Sequence, residues 1–311
     1  MPTPLVSVCM TAYNHAAYLR EAVEGVLAQE APFGIELVLG EDCSTDATAE
    51  ICREYVRRYP DRVRLVTGPR NVGWRANYRR TFDACRGRYV AYCDGDDFWT
   101  DSSKLVRQVG VLEADPDCGM CYTRTERFYP GTGERRPFPP ELYTDFGRML
   151  RFNPVDNCCA VARRELIARY YDEVHPERHP EWLTDDTPMW LWFAARSSIR
   201  AVDAVTAVHR VLTGSVSHGR SYGDRLAFND SIWAINLFFA RRYGAKELAR
   251  PLVRKRFAEA LWLLAREGTV GEYLVRWVRE VAAAPELLLR PEGYGLLAKR
   301  ILLGRKKHSE R

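Results

Sequence analysis

Tyr89-Val90-Ala91-Tyr92-Cys93 is a short apolar run rich in β-formers, and it ends on Asp94-Gly95-Asp96-Asp97. A buried strand that delivers three carboxylates within four residues sets up repulsion at its own end. A cation among them would relieve it, and hard oxygen donors suit Mg2+ or Mn2+. An acidic turn capping a helix that opens at Ser102 or Ser103 is the plainer use of the same residues. Working outward, residues 5–10, 35–39 and 63–66 read as strands, while 18–29, 46–59 and 75–85 carry apolar residues at helical spacing. Strands separated by helices of this length predict an α/β fold. Its sheet should be doubly wound, Rossmann-like and mostly parallel, with the ligand cleft at the strands' carboxyl ends.

Further along, 119–123 and 157–162 read as strands, 164–171 as a helix, and the Pro- and Gly-rich stretch 130–140 as a surface loop. From residue 222 the pattern is helical, broken near Gly244, Gly268 and between Pro285 and Pro291. Three segments follow: two halves of the α/β domain at 1–110 and 111–218, and a helical C-terminal appendage at 219–311.

Composition narrows the class. The 311 residues are 46% hydrophobic and 12% aromatic, enough for a large core. The start Met1-Pro2-Thr3-Pro4 has no basic region ahead of a long apolar run, so export is not expected. No window reaches about 18 uninterrupted apolar residues, which speaks against a spanning helix. The nine cysteines are an odd number set mostly in apolar surroundings, as suits reduced thiols in cytoplasm. Cys118 and Cys121 form a lone C-x-x-C; without a second ligand pair it reads as a buried strand rather than as a zinc or redox site. The net charge of +5 is unevenly spread, because residues 219–311 hold 19 Lys and Arg against 10 Asp and Glu.

A second acidic run, Glu41-Asp42-Cys43-Ser44-Thr45-Asp46, also follows a strand. Such side chains can accept from a base N–H and a ribose hydroxyl, or can cap the helix that follows. The chain has no G-x-G-x-x-G after the first strand and no G-x-x-x-x-G-K-[ST], so phosphates are expected to be held through metal.

Taken in order, Val6-Ser7-Val8-Cys9-Met10-Thr11-Ala12-Tyr13-Asn14, Leu39-Gly40-Glu41-Asp42-Cys43-Ser44-Thr45-Asp46-Ala47-Thr48, Asn71-Val72-Gly73 and Cys93-Asp94-Gly95-Asp96-Asp97 resemble family 2 glycosyltransferases of the GT-A fold. The segment from Phe98-Trp99 through Lys104-Leu105 to Gln108 and Leu112 resembles bacterial members that build surface polysaccharides. The resemblance implies an inverting transfer from a nucleoside-diphosphate sugar, UDP favoured, to a hydroxyl of a glycan or lipid-linked acceptor, with Mn2+ or Mg2+. It implies nucleotide-sugar binding for the half at 1–110 and acceptor binding for the half at 111–218. It places Thr11 and Tyr13 beside the base, Asp42 on the base imide, Asp94 on ribose or metal and Asp96 on the metal. Asn14, Ser44, Asn71 and Gly95 join the nucleotide-sugar site through the same motifs.

The acceptor side carries Trp182-Leu183-Thr184-Asp185-Asp186-Thr187-Pro188-Met189-Trp190, which matches the family's acidic pair ahead of an apolar helix. The resemblance implies Asp186 as catalytic base, with Asp185 as second choice, and the same residues can equally cap that helix. Trp182, Trp190 and Trp192 offer faces for a sugar ring or for the core. In His209-Arg210-Val211-Leu212-Thr213-Gly214-Ser215-Val216-Ser217 the family's usual histidine position holds Leu212 or Thr213. A third metal ligand would then have to come from His209 or His218, and Arg210 and Ser217 remain for phosphate.

The tail interleaves apolar patches at 232–239 and 257–264 with basic residues and ends in Arg305-Lys306-Lys307. Docking on an anionic membrane at the inner face of the plasma membrane, homo-oligomerisation and packing on the core all suit that pattern. Nucleic acid is not an expected partner, since no recognition motif is present. A sugar nucleotidyltransferase would want a Gly-rich basic loop after the first strand, which 11–17 does not provide, and a non-catalytic scaffold would have no need of intact acidic motifs.

Overall fold

A computed structural model describes residues 3–212, 221–291 and 293–298. Two compact units divide the chain, one of residues 1–179 and 189–212, the other of residues 180–188 and 213–311.

The first unit is built on nine strands. β1 (Val6–Ala12), β2 (Ile35–Glu41), β3 (Val63–Val66) and β4 (Tyr89–Tyr92) alternate with helices α1 (Leu19–Leu27), α2 (Thr48–Arg58) and α3 (Trp74–Asp83). β5 (Phe98–Trp99), α4 (Lys104–Ala114), β6 (Cys118–Tyr129), β7 (Glu134–Phe138), α5 (Phe146–Met149), β8 (Ala160–Arg163) and α6 (Arg164–Val174) follow. α7 (Asp186–Arg196), whose first three residues count with the second unit, and β9 (Ser198–Arg210) complete it. The sheet order is β3-β2-β1-β4-β8-β6-β9-β5, with β7 paired on β6. β1 to β4 are mutually parallel, and β8, β5 and β7 pair antiparallel with their neighbours. Because β2 and β4 flank β1 on opposite sides, the chain reverses its winding between β1 and β4, the place where such sheets open a ligand crevice.

Alternation and burial explain the core. Val6, Val8 and Met10 of β1, Leu37 and Leu39 of β2, and Tyr89 and Ala91 of β4 are sealed against Leu19, Val23 and Val26 of α1. Behind the acidic turn, Trp99 donates its Nε1–H to the Cys158 carbonyl at 2.8 Å, and the buried Lys104 lies 4.6 Å from the Trp99 ring centre. Gln108 closes the cluster by donating to the carbonyls of Cys121 and Cys159. Cys118 and Cys121 are free, buried thiols of β6, and the other cysteines are free too, all of them buried except the half-buried Cys43.

Three parts of this architecture depart from the sequence reading. The expected loop at 130–140 contains β7, which forms a hairpin with β6; four of its five residues are exposed, and its Pro137 is tolerable because the strand is an edge. Residues 157–159 form a 3₁₀ turn, so β8 starts only at Ala160. β9 was not anticipated at all, because register shifts against β6 break the two-residue alternation that would have marked it.

The second unit holds α8 (Tyr222–Arg242), α9 (Lys246–Glu267) and α10 (Val270–Ala283). Ser221 and Thr269 close capping boxes with Asp224 and Glu272 at the starts of α8 and α10. Most of the patches at 232–239 and 257–264 is turned inward: Trp233, Ile235, Leu237 and Phe239, like Phe257, Leu261 and Leu264, are buried, while Trp262 is exposed. Trp182 packs edge-on against Phe238 at 5.2 Å. Among the described residues no helix is long and apolar enough to cross a membrane.

Gly87, just before β4, is a point where the sheet admits no side chain. A Cβ there would sit 2.5 Å from the Ser7 nitrogen and 2.8 Å from the Val6 carbonyl carbon, backbone atoms that cannot give way. Gly87→Ala is expected to cost about 1–3 kcal/mol and to lower Tm in a thermal melt; an unchanged Tm would contradict this packing.

Candidate active site

The carboxyl ends of β1, β2 and β4 bring the three N-terminal motifs together. After β4 the chain turns back under β1, where the Gly95 N–H donates to the Thr11 carbonyl at 2.8 Å. A Cβ on Gly95 would meet the Thr11 carbonyl oxygen at 3.1 Å and the His15 ring at 3.0 Å, so the small residue lets the turn lie close to β1.

The three carboxylates of this turn have different fates. Asp94 bridges the β1/β4 crevice: it accepts from the Thr11 hydroxyl at 2.7 Å, the Tyr78 hydroxyl at 2.9 Å and the Asn157 amide at 2.8 Å. Burial, and next the neighbouring Asp96, push its pKa above the ordinary carboxylate value despite those hydrogen bonds. Asp97 is 2% exposed and turned inward, accepting from the Arg210 backbone N–H at 2.8 Å and pairing with His209 at 3.2 Å. Asp96 keeps 22% of its side chain open to solvent and lies 4.0 Å from His15 Nε2. Burial and then Asp97 raise its pKa, with His15 and His209 pulling the other way.

His209 settles what neutralises the third carboxylate. Burial disfavours its charge, but Asp97 and then Asp156 outweigh burial and raise the imidazole to about 10. In this structure His209 is the counter-charge of Asp97. His218 and Ser217 lie outside the described residues. Arg210, expected on phosphate, has partners of its own within the chain. It is 6% exposed and lies 4.4 Å from the Phe98 ring centre. Its guanidinium donates to the Asp96 carbonyl and the Glu21 carboxylate. This cation braces the acidic turn from behind.

The β2 side is equally organised. Asp42, expected to meet a base N–H, is buried and accepts from the backbone N–H groups of Val72 at 2.9 Å and Gly73 at 3.0 Å, with Arg80 at 3.2 Å. Asn71 completes this loop, donating to the Asp42 carbonyl and accepting from the Gly73 N–H. Asn14 and Cys43 both adopt left-handed backbone at φ 57°. The Asn14 side chain accepts from the Thr45 N–H, and its N–H donates to the Ser44 hydroxyl. Tyr13, adjacent, is 44% exposed. Glu41, opposed by burial, is held below its ordinary pKa by the Ser44 N–H and the Thr67 hydroxyl.

Of the acidic pair, Asp185 is buried and Asp186 half-buried at the first residue of α7. Asp186 Oδ1 accepts from the Thr187 N–H at 2.5 Å and from the Thr184 hydroxyl. The three tryptophans are all core residues: Trp182 is 1% exposed, and Trp190 and Trp192 are 0% exposed. Tyr78, Asn157 and the His209–Asp97 pair went unrecognised in sequence. Tyr78 lies within a helical pattern, and Asn157 becomes significant only once β8 is placed beside β4. A cavity of about 430 Å³ at the opposite end of these strands is lined by Arg86, Arg88, Arg163 and Arg164. Arg86 and Arg88 already pair with Glu36 and Glu113, and Arg163 is spent on backbone carbonyls.

Known proteins place this architecture. The profile of glycosyl transferase family 2 matches residues 7–171, just over half of the sequence, and the chain belongs to that family. An uncharacterised protein of Mycobacterium tuberculosis is 32% identical over 229 residues, 72% of this chain and 63% of its own length. The chain thus spans less than two thirds of that relative. TuaG of Bacillus subtilis, named for teichuronic acid biosynthesis, is 33% identical over 120 residues, covering 39% of this chain and 46% of its own. Among solved structures, TarS of S. aureus superposes with a TM-score of 0.62 at 16% identity, covering 95% of this chain and 53% of that one. A TarS fragment in complex with UDP gives 0.56 at 17% identity, covering 95% and 88%. The mannosyltransferase PcManGT of Pyrobaculum calidifontis, in complex with GDP-Man and Mn2+, gives 0.58 at 19% identity, covering 99% and 88%. These likenesses define the fold as GT-A.

The imidazolium gives the turn a pH signature. Because its folded pKa is raised, its stabilising contribution is complete below the ordinary value of 6.5 and is lost as pH rises through about 10. Removing one partner of a buried pair costs on the order of 3 kcal/mol, so His209→Gln should depress Tm most at about pH 6 and least at about pH 10. A Tm deficit independent of pH would show that His209 carries no charge.

Proposed function

We propose that the chain transfers a sugar from a nucleoside-diphosphate sugar, UDP first among the candidates, to a hydroxyl of a glycan or lipid-linked acceptor, with inversion at C1. The observation that carries this is the Thr11–Asp94 bridge across the β1/β4 crevice, with the acidic turn beside it. Relatives solved with UDP, UDP-GlcNAc or GDP-Man support a nucleotide-sugar donor. TuaG's name supports polysaccharide synthesis as the setting. An acceptor built on lipid would put the protein at the inner face of a membrane.

A divalent cation fits the residues present, though in a shared rather than a closed site. Among the described residues no three His, Cys, Asp or Glu are arranged to hold a metal by themselves. Asp94 already accepts three hydrogen bonds, whereas Asp96 is partly open and its raised pKa marks a carboxylate short of positive partners. Mg2+ and Mn2+ can bind through one or two carboxylates plus substrate phosphates, so Asp96 would be the main ligand and Asp94 the second. When bound, the ion would neutralise charge on the departing diphosphate.

The remaining roles belong to the chain itself. Tyr13 offers an exposed ring to the base, while Asp42 and Asn71 hold the shape of the base-side loop. Ser44 and Asn14 fix the facing turn. Arg210 and His209 hold Asp96 and Asp97 in place, and Gly95 lets the donor approach the β1 end. Asp186 takes the proton of the acceptor hydroxyl as its oxygen attacks C1 from the face opposite the diphosphate, its carboxylate oriented by Thr184 and Thr187, with the buried Asp185 as second choice.

Two variants separate these roles. Asp186→Asn is expected to lower transfer by roughly 10²–10⁴-fold while leaving nucleotide binding intact. Asp96→Ala should abolish the Mn2+-dependent part of donor binding in calorimetric titrations of UDP, dTDP and GDP. Near-wild-type turnover in both variants would remove the proposed site, and no metal-dependent binding of any of the three nucleotides by the unsubstituted protein would remove the donor reading.

A further inference from the structure

Helix α10 of the second unit carries apolar side chains on both faces. Its inward face buries Tyr273, with Trp277 and Val281 packed on the same cluster, and also carries charge: Arg276 pairs with Asp230 through both terminal nitrogens, at 2.6 and 2.5 Å, and lies 2.8 Å from Glu280, which in turn pairs with Arg256. Arg276 is 9% exposed and Glu280 2%. Its outward face carries the apolar residues: Leu274 is 39% exposed, Val275 71% and Val278 59%. With Gly271 and Ala282 these positions follow the i, i+3, i+4, i+7 rhythm of one stripe, roughly 100° wide. Just beyond, the turn Pro285–Leu289 adds Leu288 at 45% and Leu289 at 84% exposure. The inward face already supplies the apolar contact that holds the helix, so this second, exposed stripe is a surface made to be covered.

We propose that this surface, α10 together with Leu288 and Leu289, docks in the plane of an anionic lipid membrane. Three observations choose lipid over a second copy of the chain. The apolar stripe is edged by exposed Arg279. Tyr294, 48% exposed, stacks edge-on against Trp277 at 5.6 Å and anchors on the Leu288 carbonyl, supplying an amphipathic aromatic at the rim. Residues 219–311 carry 19 basic against 10 acidic side chains, an excess that a symmetric self-contact would bring against itself and that an anionic surface attracts. Arg305-Lys306-Lys307 lie outside the described residues and enter only through that charge. Leu and Val side chains at this depth enter the headgroup boundary while the paired charges beneath stay in protein. The idea rests on the proposed transferase only for its purpose, which is to bring a lipid-linked acceptor to the protein.

Co-sedimentation of the full chain with vesicles of phosphatidylcholine containing a quarter of phosphatidylglycerol, against phosphatidylcholine alone, tests it. The protein should bind the anionic vesicles and release in high salt. The double variant Val275→Asp, Val278→Asp and the single Leu289→Asp should each lose at least about tenfold in partitioning. Both should keep the wild-type melt and nucleotide titration, because all three side chains are exposed. Arg279→Glu should weaken the anionic arm alone. Wild-type protein left in the supernatant, or aspartate variants that sediment as it does, would overturn the proposal. So would a dimer seen by light scattering that these substitutions dissolve without any effect of vesicles. Failure here leaves nucleotide binding untouched, and failure of nucleotide binding leaves vesicle binding untouched, so the two readings fall separately.

Discussion

Three carboxylates in a four-residue turn, half withdrawn from water, repel one another. The structure meets this by giving each a different partner. Asp94 receives neutral donors from β1, from α3 and from the turn before β8. Asp97 receives an imidazolium and a backbone N–H from the end of β9. Asp96 is left with the weakest compensation, and it is the one that faces outward. The placing of β9 next to β5, the bulges that let it stay paired with β6, and the close approach of Gly95 to β1 all serve that division.

How legible this was depends on sequence distance. The strand-then-acid motifs after β1, β2 and β4 could be read directly, because each is a local run whose position at a strand's end follows from the alternation of strands and helices. The partners could not. His209 is 112 residues from Asp97, and Arg210 is 189 from Glu21, so nothing local marks them. Arginine beside a serine-rich turn suits a phosphate, and its packing against Phe98 is a contact the sequence did not announce. Asp42 likewise has residue-local promise, an acceptor for a base N–H, and unannounced partners in the Val72 and Gly73 amides.

The helical unit shows where averages mislead. The apolar runs in α8 and α9 drew attention as candidate surfaces, yet most of their side chains are buried, those of α9 in a cluster of Phe257, Leu261, Leu264 and Tyr273. Amphipathicity alone does not say which face turns inward. α10 is strongly two-sided, and its direction is set by Asp230 and Arg256, carried by the neighbouring helices, which draw Arg276 and Glu280 inward.

The cysteines carry a practical consequence. Eight are buried thiols, and burial raises the pKa of Cys52, Cys93, Cys121 and Cys158, which keeps them out of reach of alkylating reagents at neutral pH. Cys43 alone is partly open, held between Asp42 and Ser44 on a left-handed backbone. The native chain therefore supplies its own attachment point for a fluorophore or spin label, located on the loop where a nucleotide would enter, with no cysteine needing to be removed first.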